Sequence, residues 1–199
     1  MKIVIVYHSG YGHTKVVAEK IAIGAKAIVP NVQLLTTQDA SSNPGALQEA
    51  DTIVFGTPTY FGNVSAEFKK FMESTTTTWT RQLWKDKLAA GFTNSSSRNG
   101  DKLHTLSSLS LFAAQHGMLW ISMGILPQYD TAGWQLTHTN EMASYLGLMT
   151  MSANSSVADA LPSDLHTAEM FGRRLGEVTR KWRWESQLLA TAELNNGKV

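Results

Sequence analysis

Short apolar runs recur along the chain, separated by stretches whose apolar positions repeat every three to four residues. Ile3-Val4-Ile5-Val6-Tyr7 is the first run. It is too short for a helix and apolar on both faces, which predicts a buried parallel strand. Val17, Ala18, Ile21 and Ala25 then trace one face of a helix. Val32 to Thr36 predicts a second strand, and Asn43-Pro44 opens a short helix through Leu47 to Ala50. After Asp51, Thr52-Ile53-Val54-Phe55-Gly56-Thr57 is a third buried strand. Phe68, Phe71 and Met72 share a face of a helix near Ser65 to Glu73. Leu88-Ala89-Ala90-Gly91-Phe92 is a fourth strand of small residues, a helix runs from about Leu103 to Gln115, and Leu119-Trp120-Ile121 is a fifth strand. The last helix starts after Pro162, with Ser163 as its N-cap, and turns Leu165, Ala168, Phe171, Leu175 and Val178 inward.

Strands and helices therefore alternate, which predicts an α/β fold: a parallel sheet with helices on both faces. The segment from Gly124 to Leu161 breaks the pattern. It is rich in Thr, Ser, Asn and Gly and has no clear period, and connections of that length are usually functional or mobile. Within it, Leu148-Met149-Thr150-Met151 reads as a further strand or a resumption of the fifth. After Trp182, Leu188, Leu189 and Ala192 either continue the last helix or fray.

The loops after three strands carry the chemistry. Ser9-Gly10-Tyr11-Gly12-His13-Thr14 joins the first strand to a helix. Such a turn aims backbone N–H groups and the positive end of a helix at one point, which suits a phosphate. Ser9 and Thr14 add hydroxyl donors, and the glycines allow close approach. No Lys-Ser/Thr pair follows, so this is no nucleotide-hydrolysing loop, and the third glycine of a dinucleotide fingerprint is missing. A lone phosphate monoester fits best, and FMN carries one. Pro58-Thr59-Tyr60-Phe61-Gly62-Asn63 offers aromatic faces for a flat ring. Thr93-Asn94-Ser95-Ser96-Ser97-Arg98-Asn99-Gly100-Asp101 is rich in donors for a pyrimidine edge. In an open parallel sheet these loops meet at the carboxyl ends of the strands, where ligands bind.

Composition narrows the partners. The chain has 199 residues, 43% of them hydrophobic and 17% charged, which suits one globular domain. Net charge is +1, from 17 basic and 16 acidic side chains, with no basic stripe for nucleic acid. A diffusible electron carrier usually docks through a single-sign field, which this balance lacks. No apolar run reaches a membrane span. The first strand begins within two residues, so no signal peptide is expected and the cytoplasm is the expected compartment. There is no cysteine, and His104, His138 and His166 have no companions at metal-ligand spacing, so no metal is expected.

Ser-Gly-Tyr-Gly-His-Thr at residues 9–14, Pro-Thr-Tyr-Phe-Gly-Asn-Val-Ser-Ala-Glu-Phe-Lys-Lys-Phe-Met-Glu at 58–73 and Gln-His-Gly-Met at 115–118 resemble the flavodoxin-like NAD(P)H:quinone oxidoreductases, the family of the tryptophan-repressor-binding protein. The resemblance covers about residues 1–182, an FMN-binding domain, and leaves 183–199 as a tail. It implies a flavodoxin-like, doubly wound, five-stranded parallel sheet of order 2-1-3-4-5. It also implies bound FMN, two-electron reduction of a quinone by NADH or NADPH, and a homodimer or homotetramer. The alternatives are a flavodoxin-type electron carrier and a non-catalytic FMN-dependent interaction protein.

Matched position by position, the resemblance makes Ser9, Tyr11, Gly12, His13 and Thr14 the phosphate loop. Pro58, Thr59, Tyr60, Phe61, Gly62 and Asn63 lie beside the ribityl chain and ring. Thr93, Asn94, Ser95, Asn99 and Gly100 belong to the third loop. Trp79, His116 and Tyr11 fall at substrate-binding positions, with Trp79 in an exposed loop after four threonines. Ser144-Tyr145 resembles a short family segment before the last helix. The chain departs from the family's Thr-Gly-rich third loop, has Gln115 where the first of two histidines is usual, and has Ile125 at a tyrosine position. Because the cofactor carries the reaction, no obligatory catalytic acid or base is expected.

Overall fold

β1 (Ile3–Tyr7) is buried along its whole length, as an apolar run flanked on both faces must be. It leads through the first loop into α1 (His13–Lys26) and back to β2 (Val32–Thr36). The structure is a computed structural model that describes residues 1–128, 139–152 and 161–196, with side chains through residue 184. The elements that follow are α2 (Thr37–Ser42), α3 (Pro44–Gln48), β3 (Thr52–Tyr60), β4 (Asn63–Val64), α4 (Ala66–Ser74) and α5 (Thr76–Thr80). Then come β5 (Leu88–Ser95), α6 (Lys102–Gln115), β6 (Leu119–Trp120), β7 (Leu148–Met151) and α7 (Pro162–Asn196).

The parallel sheet runs β2-β1-β3-β5-β6, which is order 2-1-3-4-5 when the five lanes are counted in sequence. β4 forms a two-residue antiparallel hairpin with β3. β6 and β7 share one lane. β5 pairs Leu88 with Leu119 and Ala89 with Trp120, then Phe92 with Leu148 through Ser95 with Met151. Leu148–Met151 is thus the resumption of the fifth strand, with residues 121–147 inserted in it. Within that insertion Met123 N–H donates to Tyr145 O at 2.9 Å. Asn140 bridges Ile125 O at 2.8 Å and Ser144 O at 3.0 Å through its amide nitrogen. Trp134 lies outside the described residues.

Helices cover both faces. On one, Val17, Ala18, Ile21 and Ala25 of α1 and Ala168, Phe171 and Leu175 of α7 pack on Ile3, Ile5 and Val54. On the other, Phe68 and Phe71 of α4 and Leu106, Leu109 and Phe112 of α6 pack on Val4, Val6, Ile53 and Phe55. α1 and α7 approach so closely that a side chain at Gly24 would strike Glu169 O, and one at Gly172 would strike Ile21 O. Further along α7, Thr179 Oγ1 lies 2.6 Å from Thr52 Oγ1, and Arg183 Nε lies 3.0 Å from Asp51 Oδ1.

Several boundaries differ from the sequence pattern. β3 and β5 each run three residues past their apolar cores, to Tyr60 and Ser95. Pro58 to Tyr60 and Thr93 to Ser95 are therefore strand rather than loop. Trp79 lies in the short helix α5, not in a loop. α7 begins at Pro162, which puts Ser163 inside its first turn instead of at the cap. α2 has no apolar stripe to announce it. It forms on a capping box, in which Thr36 Oγ1 accepts from Asp39 N–H at 3.1 Å and Asp39 accepts from Thr36 N–H at 3.3 Å.

Candidate cofactor site

The first loop turns into α1 through Gly12, whose φ of 95° suits glycine and whose place at the N-cap leaves the helix without a side-chain cap. Ser9 Oγ fills that role from outside, accepting from Gly12 N–H at 3.1 Å and Lys15 N–H at 3.2 Å. A single oxygen thus sits where the N–H groups of the helix start converge. His13 Nε2 is buried with no hydrogen-bond partner, and the first turn of α1 holds no acidic residue. Thr14 is buried beside it and Tyr11 projects into solvent. An orphaned ring nitrogen, converging N–H groups and no competing carboxylate fit a phosphate group.

The second loop is tighter than its sequence suggests. Thr59 pairs with Val64 and Tyr60 with Asn63, leaving Phe61 and Gly62 as the two turn residues at φ 49° and 73°. Two successive positive φ values match the hairpin turn that follows strand twist. Phe61 pays a conformational cost there, and such strain clusters at functional sites. The turn leaves Phe61 wholly exposed, while Tyr60 sets its hydroxyl against Gly10 of the first loop. His104 Nδ1–H donates to Gly62 O at 2.7 Å and ties α6 to the turn. Asn63 Oδ1 accepts from Val64 N–H at 2.8 Å, so its side chain helps close the hairpin.

Thr59, Thr93 and Asn94 are buried, and their side chains are committed inside the protein. Thr59 Oγ1 lies 2.8 Å from both Thr93 Oγ1 and Thr105 Oγ1. Asn94 donates to Ser152 Oγ at 3.0 Å and accepts from Thr150 Oγ1 at 2.8 Å. These groups lock the carboxyl ends of β3, β5 and β7 together behind the loops. The third loop proper is residues 96–101, with Asn99 exposed and Gly100 and Asp101 at φ 55° and 54°.

Lys102, which sequence reasoning passed over, anchors that loop from below. It is fully buried, and its ammonium donates to Ser95 Oγ at 3.0 Å and Ser97 O at 2.6 Å. Burial pushes it down to about 8, opposed by the charge of Asp164. A lysine at the first helical position, where the dipole opposes a cation, was the available signal. Asp164 is itself buried, accepts from Met151 N–H at 2.7 Å, and is pushed up to about 6 by burial.

Trp79 and His116 come together, but away from these loops. They line one pocket of about 300 Å³ with Lys69, Glu73, Thr75 and Gln115. α6 leaves the carboxyl end of β5 and ends just before β6, so His116 lies at the amino ends of the strands. A helix of 14 residues separates the two ends by about 21 Å. The His116 ring is buried 4.4 Å from Trp84 and 4.8 Å from Phe112. Thr75 Oγ1 gives its proton to Met72 O at 2.7 Å, so His116 donates Nε2–H to Thr75 at 3.1 Å. Nδ1 then carries the lone pair and has no partner. Burial pushes His116 down to about 4, so it is neutral rather than a cation serving the helix end.

That shift predicts acid lability. The unfolded histidine binds a proton near 6.5 and the folded one only near 4, so stability falls as pH drops through this window. The slope is at most about 1.4 kcal/mol per pH unit. Asp164 opposes it, because its folded carboxyl takes up a proton before the unfolded one does. In His116→Phe, the drop in thermal midpoint from pH 7.5 to pH 5 should shrink. An unchanged drop would place the lability elsewhere.

Residues 36–127 match the family described as NADPH-dependent FMN reductase. The chain is 39% identical over 183 residues to the flavodoxin FldP of Pseudomonas aeruginosa, covering 89% of this chain and 96% of that protein. A crystal structure of the flavodoxin, WrbA-like protein from Agrobacterium tumefaciens superposes with a TM-score of 0.71 at 38% identity, covering 90% of this chain and 98% of that one. The chain belongs to the WrbA-like flavodoxins. An NAD(P)H dehydrogenase (quinone) of Acidithiobacillus ferrooxidans is 29% identical over 199 residues, covering 90% of this chain and 98% of that protein. In this WrbA-like flavodoxin the cradle, the aromatic turn and the clamped third loop lie at a single end of the sheet. No helix among its described residues is long and apolar enough to cross a membrane.

Proposed function

We propose that this protein binds FMN and uses it to pass two electrons from NADH or NADPH to a quinone in the cytoplasm. When bound, FMN supplies the chemistry, accepting a hydride from the nicotinamide and giving both electrons to the acceptor. The observation that carries the reading is the cradle at the start of α1, where Ser9 Oγ and the orphaned His13 Nε2 mark a place for phosphate oxygens. Tyr60 and Phe61 give a flat ring an apolar wall, and Lys102 holds the third loop against it. The threonines behind keep both strand ends rigid. One open face serves both substrates in turn, which implies ping-pong kinetics.

The substrate role of Trp79 and His116 then requires a second copy, since one chain holds them at the far end of the sheet. A homodimer or homotetramer that brings this pocket over a neighbour's loops satisfies the sequence match and the geometry together. Trp79→Ala should raise the quinone KM several-fold while FMN affinity stays within a factor of two. Loss of FMN with normal kinetics in the residual holoenzyme would remove Trp79 from the substrate. A one-electron carrier is the second reading, favoured by the flavodoxin name of the 39% identical relative. Assays of the FMN-loaded protein with NADH, NADPH and a quinone separate the two. No oxidation of either nicotinamide points to the carrier.

A further inference from the structure

His8 takes no part in the first loop, yet it stands beneath it. Its N–H donates to Gly56 O at 3.0 Å, which sets it at the carboxyl end of β1 against β3. Strand order reverses at this place, with β2 on one side of β1 and β3 on the other. Its Nδ1 lies 2.8 Å from Ser65 Oγ, and Ser65 Oγ lies 3.2 Å from Thr57 Oγ1. Thr57 Oγ1 donates to Pro58 O at 3.1 Å.

Proton bookkeeping along this chain has one full solution. Pro58 O only accepts, so Thr57 gives its proton there. Ser65 therefore gives its proton to Thr57, and His8 gives Nδ1–H to Ser65. Thr57 Oγ1 also accepts from Ser65 N–H at 3.1 Å, and Ser65 Oγ from Phe68 N–H at 3.3 Å. Each hydroxyl then donates once and accepts twice, its full capacity. Nε2 keeps the lone pair. The neighbouring carbon faces the phosphate loop: a Cβ on Gly10 would lie 4.0 Å from His8 Cε1 and 2.7 Å from Tyr60 Oη.

A phosphate monoester carries close to two negative charges above its second pKa of about 6. Residues 9–14 contain no lysine or arginine, and Lys15 is exposed beside Glu19 at 3.9 Å. N–H groups and hydroxyls bring no full charge. His13 begins α1, where the helix dipole opposes a cation. His8 stands on the strand instead, and its Nδ1–H is already placed as an imidazolium requires. A proton on Nε2 gives the ring a full positive charge beside the loop while the bond to Ser65 is kept.

We propose that His8 is the proton-linked cation of the phosphate site, taking up a proton as the FMN phosphate dianion binds. This rests on the FMN reading above. The titratable groups on the elements around it are Tyr7 of β1, Tyr11 of the loop, His13, Lys15, Glu19, Lys20 and Lys26 of α1, Tyr60 of β3, and Glu67, Lys69, Lys70 and Glu73 of α4, and of these Glu67 is the charge that acts on it. Burial holds His8 below its ordinary 6.5, with Glu67 opposing. A bound dianion raises it. Between those two values FMN affinity falls as pH rises.

Calorimetric titration of FMN into the FMN-free protein at pH 7.5, in buffers of differing ionisation enthalpy, reads the proton directly. The expected uptake is roughly half to one proton per FMN. In His8→Asn the amide keeps the bond to Ser65 but nothing replaces Nε2. Uptake should vanish, and the FMN dissociation constant should rise about tenfold at pH 6.5, with the gap closing by pH 9. His13→Asn should bind FMN more weakly yet keep the uptake. FMN bound by the wild type without proton uptake, or uptake that persists in His8→Asn, overturns this inference alone. No FMN binding at any pH overturns the FMN reading and this inference with it. Should His8→Asn fail to fold, NMR titration of His8 in the wild type decides: its pKa must rise when FMN is added, and an unmoved pKa rejects the role.

Discussion

Replacing Thr14 with valine should raise the FMN dissociation constant by about one to two decades and move the thermal midpoint by no more than a couple of degrees. Thr14 is buried in the first turn of α1, beside the converging N–H groups of the loop. Valine keeps its shape and removes one hydroxyl. A hydrogen bond to a charged phosphate is worth about 1.5–3 kcal/mol, and each 1.4 kcal/mol is a factor of ten. Because valine packs as threonine does, the loss falls on binding and not on folding. Unchanged affinity in a fluorescence titration would move the phosphate away from this loop.

Gly172→Val should cost about 3 kcal/mol of stability or more, the upper part of the overpacking range. For a domain of this size that is a drop of about 6–12 °C. Any side chain at Gly172 meets Ile21 O, and the helix pair is closed from the other side by Gly24 against Glu169 O. Neither obstacle is a flexible tip; both are backbone, so α1 and α7 must part. α1 also carries His13 and Thr14 at its start, so FMN affinity should fall along with the midpoint. Differential scanning calorimetry checks the first effect, and a midpoint within 2 °C of wild type would contradict the close approach.

The apolar core of every sheet lane was legible, because buried parallel strands are written as continuous runs such as Ile3–Tyr7. The ends of those strands were not. Pro58 to Tyr60 and Thr93 to Ser95 read as loop, yet strand pairing continues through them. Their hydroxyls and amide are satisfied by partners far away in sequence, such as Thr105 and Ser152, which no local pattern announces. For the same reason the sequence could nominate Thr59, Thr93 and Asn94 for a cofactor without revealing that their side chains are bonded inside the protein, the threonines to each other and Asn94 to Ser152 and Thr150. α5 shows the limit from another side. Its threonines are weak helix formers, and the turn is held by Thr76 Oγ1 on Glu73 O and Thr80 Oγ1 on Thr76 O. His116 was visible as a candidate, but its end of the sheet follows only from the direction of α6. Lys102 and His8 gave little away, since one is named by its burial and the other by a chain of bonds through Ser65 and Thr57.

The division of the fifth lane bears on how this scaffold can change over time. β6 and β7 are each registered on β5 independently, so neither depends on the other for its pairing. The connection between them can lengthen or shorten without shifting a single rung of the ladder. Chain entropy exacts little for this, about 0.6 kcal/mol for each doubling of a flexible loop. Insertions there leave the cradle at α1 and the hairpin after β3 untouched, because those hang from other lanes. One stretch of chain can thus be redrafted while the strand ends that carry the three loops are inherited whole.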